Sequence, residues 1–307
     1  MKMKHDHQAW SMRDIALALT IIVGLGTIVG ISRWADARRA PTDTNVEEEN
    51  LYVTGQTARR VSLGFNGLLA DWYWMRSLQY VGRKILSLPE GVPLDDLGSL
   101  NLTLLAPLLD TATTLDPQFM EPYEYAAVVL PAVNVDEAIR ITKKGIAANP
   151  SAWRLYQHLG YVYWQRRDFN SASETYGAGA RIPGAPVWME SMRARMLAEG
   201  GSRTTAREIY LRMYEQTGDD KVRDMAQRRL LQLDSLDQQD VIRKILSGYS
   251  GKAGHCPTTW REIELFLRAS RFQVDASGAP LDPAGTPYRL KNGCDVDLDP
   301  KSEVPYK

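Results

Sequence analysis

Cysteine and histidine are scarce in this chain: two Cys and four His among 307 residues. With no CxxC or HxxxH, a four-ligand zinc cluster of the usual spacing is excluded, and the absence of CxxCH excludes covalently attached haem. A surplus of one charge is also missing. Lys+Arg and Asp+Glu both number 37, for a net charge of +0. A nucleic-acid-binding chain would carry a basic excess or stripe, so that class is set aside. GxSxG, HExxH, GxxxxGK[ST] and GxGxxG are all absent, which removes the common signatures of hydrolases, metalloproteases and nucleotide-binding enzymes. Gly24-Leu25-Gly26 lies in an apolar run, the wrong context for a dinucleotide. His255 next to Cys256 lacks the geometry a nucleophile–base pair needs. No enzyme and no cofactor are expected.

What the chain does have is architectural. Residues 15–31 read IALALTIIVGLGTIVGI without a charge, flanked by Trp10 and Trp34. A helix over residues 15–32 would rise roughly 27 Å, near the hydrocarbon thickness of a bilayer. The reading is a transmembrane helix, with a cleaved signal peptide ending near Ala35-Asp36-Ala37 as the alternative. Gly26 and Gly30 are spaced to let two such helices approach. Three basic residues precede the run and three follow it, so charge alone leaves orientation undecided. Cys256 and Cys294 suit one disulfide, which persists outside the cytoplasm, or else two separate buried thiols. The expectation is a single-pass membrane protein with a cytoplasmic N-terminus and an exported body (periplasmic in a bacterium).

A polar tether over residues 33–57 precedes a pattern that is helical from Ala58 to about Gly248. Within it Ala138, Ala172 and Ala206 recur every 34 residues, the mark of stacked helix-turn-helix units. Small residues at a fixed interval let paired helices approach; large ones such as Tyr163, Phe169 and Tyr176 fill the holes between them. The central unit, with Leu159, Gly160, Tyr163, Phe169, Ala172 and Tyr176, resembles the tetratricopeptide repeat, and the resemblance extends over about residues 100–240. It implies an all-α helical-repeat solenoid whose first helices line a concave groove for a partner polypeptide. Carried onto this chain, the groove positions are Tyr123, Arg154, Gln157, Tyr161, Trp164, Trp188 and Arg195, types enriched where interfaces bind tightly. The alternative is that they pack on the chain's own flanking segments. The family's clamp for a terminal carboxylate needs Lys and Asn where Gln157 and Tyr161 stand.

Two flanks fall outside the repeat. Residues 65–82, FNGLLADWYWMRSLQYVG, are apolar on most helical faces, which implies burial nearly all round. This stretch loosely resembles a segment near the start of some bacterial membrane-anchored tetratricopeptide proteins. Residues from 249 onward change character: after a short helix over residues 258–263 that opens with a Thr cap, the chain turns rich in Gly, Pro and Asp, consistent with a small domain or extension containing some β and turn structure. Leu281-Asp282-Pro283-Ala284-Gly285-Thr286-Pro287-Tyr288 resembles the DPxGxPY loop of secretion-system major pseudopilins, which borders a calcium site. Asp295, Asp297 and Asp299 are the matching oxygen donors here, or else three solvated carboxylates on one strand face. The composite expectation is a membrane-anchored, non-catalytic scaffold that binds other proteins of an envelope assembly and touches the bilayer through residues 15–32. The alternatives are a structural subunit packed through its membrane helix and a module sheltering a lipid or small ligand.

Overall fold

A computed structural model describes residues 12–38, 53–88, 97–292 and 294–305. The chain divides into two units, Met1–Val53 and Thr54–Lys307.

The first unit holds one described element, α1 (Met12–Arg38). It runs past Arg33, so the expected tether begins later than residue 33; residues 39–52 and the N-terminal tail up to residue 11 lie outside the described residues. Among the described residues no helix is long and apolar enough to cross a membrane. This corrects the transmembrane helix expected over 15–32, and with it the single-pass placement. The side chains described in α1 run from Leu19 to Trp34. Gly26 and Gly30 have no described atom within 4 Å of where a Cβ would stand.

The second unit is mostly helical. Its elements are α2 (Gly55–Val61), α3 (Asn66–Leu86), α4 (Leu105–Leu115), α5 (Met120–Val129), α6 (Val135–Ala148), α7 (Trp153–Gln165), α8 (Phe169–Ala180), α9 (Trp188–Glu199), α10 (Arg203–Gln216), α11 (Asp220–Ala253) and α12 (Glu264–Ala269). Successive helices from α3 to α11 all pack pairwise, α3 and α4 across the longest connection and the rest across short ones. The second helices of three pairs begin at Val135, Phe169 and Arg203, which reproduces the 34-residue interval. The polar residues just before them explain these starts. Asn134 accepts from Glu137 N at 3.2 Å and Asp168 from Ser171 N at 3.1 Å, satisfying amides the helix leaves free.

Ala138, Ala172 and Ala206 are each fully buried at the same place in α6, α8 and α10. The glycines are tighter still. A Cβ on Gly160 would lie 2.8 Å from the Tyr176 ring, and one on Gly145 2.8 Å from Tyr123. Between the small residues sit buried Tyr80, Tyr123, Tyr176 and Tyr210, whose rings fill the space between helices. Burial pushes the Tyr123 and Tyr176 hydroxyls up to about 12.

Helix α3 is apolar all round but buried on one face only. Ala70, Tyr73, Ser77, Tyr80 and Val81 are buried, while Leu68 remains 68% and Met75 52% exposed. Helical periodicity divides the Trp72-Tyr73-Trp74 cluster accordingly. Tyr73 faces the core, Trp74 packs edge-on against Tyr125 at 5.3 Å, and Trp72 stays outside beneath Arg76.

Helix α11 runs 34 residues, across the boundary expected near 248, and ends at Gly254 with φ 78. Its second half carries the C-terminal segment: Ile242 and Leu246 share a core with Trp260, Ile263, Leu267, Tyr288, Val296 and Val304. Tyr288 Oη meets Ser235 Oγ at 2.9 Å, and Arg243 Nε donates to Asp295 at 2.8 Å. Thr259 and Glu262 form a capping box over Trp260–Glu262. Hydrogen bonds from the side chains of Thr258 and Tyr249 and from the Thr259 amide hold the Glu262 carboxyl down at about 2.

Two turns of one design follow. Asp275 Oδ1 accepts from the amides of Ser277 and Ala279, with Gly278 at φ 84; Asp282 Oδ1 accepts from Ala284 and Thr286, with Gly285 at φ 87. Both positive φ angles need glycine. Strands β1 (Arg289–Lys291) and β2 (Asp295–Asp297) then pair antiparallel, with Leu290 opposite Val296. Cys256 and Cys294 are joined in a disulfide with Cα atoms 5.2 Å apart.

Gly160→Ala is expected to destabilise the fold by about 1–3 kcal/mol by overpacking against Tyr176. Gly248→Ala, where no atom lies within 4 Å, is expected to stabilise it by about 0.5–1 kcal/mol through helix propensity. Urea melts of the two variants check this opposition. Removing the disulfide, which closes 38 residues, is expected to cost about 4 kcal/mol in the chain-entropy account. Hydrogen exchange at the Val296 amide with and without reductant reads that loss where it should appear first.

Candidate functional site

The sequence-derived groove residues divide into two clusters along α7. At its start, Arg154 lies over the Trp153 ring at 4.9 Å, and Trp153 meets Trp188 of α9 edge-on at 6.3 Å. At its end, Tyr161 meets Trp164 edge-on at 5.6 Å, and Arg195 lies over Trp164 at 4.8 Å. Gln157 stands half-buried between them. The two clusters are about eleven residues apart on one helix, roughly 16 Å. Tyr123 does not join them. It is fully buried and donates to the Thr113 carbonyl at 3.3 Å. That corrects its place among the groove residues: α5 turns this side chain inward against Gly145, where only an absent Cβ leaves room for a ring.

The second cluster is held from behind. Glu199 accepts from Trp164 Nε1 at 2.9 Å and from Arg195 Nε at 2.7 Å, fixing an indole and a guanidinium together across two helices. Tyr161, 45% exposed, receives a hydrogen bond from Gln165 Nε2 at 3.0 Å. An exposed aromatic pair in fixed rotamers loses little conformational freedom when covered. His158, on the same helix, has its pKa pushed down by burial, partly offset by the nearby Glu124 carboxylate, so the ring is neutral at pH 7.

Beside this cluster opens a cleft of about 590 Å³ between the ends of α7 and α9 and the first half of α11. Its walls include Trp164, Phe169, Arg195, Tyr210, Leu233 and Leu236, with Arg167, Arg203 and Arg229 also lining it. No lining residue lies beyond Leu236, so the C-terminal segment does not fill the cleft. Reasoning from sequence overlooked Arg167, Glu199 and Arg229. Glu199 had a visible signal, four residues after Arg195 on one helix. Arg229 had none. Arg167 stands just past the end of α7 with φ 58, a position where helices usually place glycine.

The remaining candidates have other partners. Asp295 is engaged by Arg243, Asp297 pairs with Lys291 Nζ at 2.7 Å, and Asp299 caps the amide of Lys301 at 2.9 Å. The three carboxylates suggested as calcium donors thus serve separate ion pairs and a turn. Among the described residues no group of three or more His, Cys, Asp or Glu side chains could hold a metal ion. The Cys256 sulfur is bonded to Cys294, which removes it as a nucleophile.

Arg167→Gly is expected to raise stability by about 0.5–1 kcal/mol, because glycine adopts the left-handed conformation without the Cβ clash. A shift of the urea midpoint to higher concentration checks it. No protein-family model matches the chain, and no curated protein matches it either.

Proposed function

We propose that the second unit is a non-catalytic, tetratricopeptide-like binding module that receives a partner polypeptide along the exposed side of α7 and α9. The observation that carries this reading is the Tyr161–Trp164–Arg195–Glu199 arrangement. Two aromatic rings and a guanidinium, residue types that dominate binding hot spots, sit on adjacent first helices; the Glu199 carboxylate locks Trp164 and Arg195, and Tyr161 is held against Trp164 and by Gln165. The Trp153–Arg154–Trp188 cluster supplies a second anchor on the same helices. Their spacing of roughly 16 Å corresponds to about five residues of extended chain. The 34-residue recurrence of buried small residues supports the repeat assignment.

A photo-crosslinking amino acid at position 161 is expected to yield discrete polypeptide adducts in cells, and the same group at Arg212, exposed on α10, none. Arg195→Ala should weaken the adducts at position 161 by roughly tenfold, the scale of one lost hot-spot contact. Equal labelling at both positions, or none at 161, overturns the assignment.

A further inference from the structure

Four guanidiniums line the 590 Å³ cleft, and they are not equivalent. Arg195 is matched by Glu199 at 2.7 Å. Arg203 is matched twice, by Asp237 at 3.0 Å and Asp240 at 2.6 Å. Arg229 has no carboxylate partner among the described residues; its Nη1 donates at 2.8 Å to the neutral amide oxygen of Gln232. It is nonetheless half-buried, and a guanidinium drawn from water without a counter-charge is costly. The Arg167 side chain makes no hydrogen bond or ion pair among the described residues, although holding it there requires a left-handed backbone. Backbone strain at a non-glycine residue is retained where the side chain has a use. Two positive charges therefore face one concave space uncompensated, and a cleft with low-dielectric walls concentrates their field. The rest of the lining combines an apolar and aromatic wall, with Trp164, Phe169 and Leu236, and the polar Gln165, Gln232 and Arg195-paired Glu199. Its volume falls in the range of small-molecule sites, roughly 300–1,000 Å³.

We propose that this cleft is a binding site for a small anionic amphiphile, its carboxylate or phosphate head on Arg167 and Arg229 and its apolar body against Phe169, Trp164 and Leu236. The site adjoins the exposed edge of α7 proposed for a polypeptide and shares Trp164, Arg195 and Glu199 with it, but Arg167 and Arg229 belong to the cleft alone. Arg167 and Arg229 present forked donors that match either head group, so the shared chemistry is an oxyanion joined to a hydrocarbon.

Titration of the full chain by calorimetry, below micelle-forming concentrations, tests it with dodecyl phosphate, dodecanoate, dodecyl maltoside and inorganic phosphate. Saturable one-to-one binding is expected for the two anionic chains, at least tenfold tighter than for the uncharged maltoside or phosphate alone. Arg167→Gly and Arg229→Met should each weaken the anionic ligands tenfold or more and leave the maltoside unchanged. Since Arg167→Gly relieves a strained turn, a thermal melt at or above that of the unaltered chain shows that its lost binding is not unfolding. Equal binding of the maltoside, equal binding of phosphate alone, or unaltered affinity in both variants overturns the proposal. So does tighter binding of an acidic peptide such as Glu-Leu-Glu-Glu-Leu, which would assign the two arginines to the partner polypeptide instead.

Discussion

The fold depends on how closely paired helices approach. Ala138, Ala172 and Ala206 are fully buried, and Gly145, Gly160 and Gly179 stand where a single added methyl would meet a ring or a methionine. These contacts set the spacing at which Tyr123, Tyr176 and Tyr210 fill the gaps, and that spacing determines where α7 and α9 present their outer side chains. Only short connections separate these helices, so the geometry of one pair is passed to the next by packing. The Trp164–Glu199–Arg195 link across two pairs is a consequence: at a wider separation the carboxylate would no longer bridge an indole and a guanidinium.

Helix α11 joins two kinds of structure. Its first half presents Ala226 and Leu233 to α10, and its second half presents Ile242 and Leu246 to the C-terminal segment. That segment contains little regular structure, with two three-residue strands and two Asp-anchored turns, and could not assemble a core without a helix to pack on. The disulfide, the Tyr288 hydroxyl against Ser235 and the Arg243–Asp295 pair hold it at three separate places. The cleft beside Leu236 survives because the segment docks farther along the helix.

What was legible in the sequence follows from the range of the interactions involved. The 34-residue recurrence, the place of Gly160 opposite Tyr176, the Thr259 cap and the pairing of the two cysteines rest on local pattern or on small numbers, and the structure contains each of them. The apolar run at residues 15–31 was equally visible as composition, yet among the described residues no helix is long and apolar enough to cross a membrane. Tyr123 was misplaced because the groove positions implied by the tetratricopeptide resemblance were carried onto a helix that matches the repeat poorly around Pro122, and there the side chain is fully buried. The DPxGxPY loop was noticed, but its twin at Asp275–Pro280, two residues upstream and built on the same Asp-to-amide bonds, was missed because proline and glycine content read as irregular rather than repeated. The cleft was invisible, since it gathers Arg167, Arg195 and Arg229 from three helices or their ends.

Formal neutrality illustrates how much a total can conceal. Equal numbers of acids and bases excluded a strongly basic chain, and several charges in the second unit are matched locally, as in Asp110 with Arg140 and Lys144 or Arg207 with Asp234 and Asp237. Burial alone would push the Asp110 carboxyl upward; hydrogen bonds from Arg140 and then Lys144 outweigh it and hold the group below its ordinary value. Arg167 and Arg229 have no carboxylate partner among the described residues. An uncompensated pair of like charges in a concavity is therefore a local property that arises from which partners the fold brings together, and it gives the cleft a sign that the composition does not have.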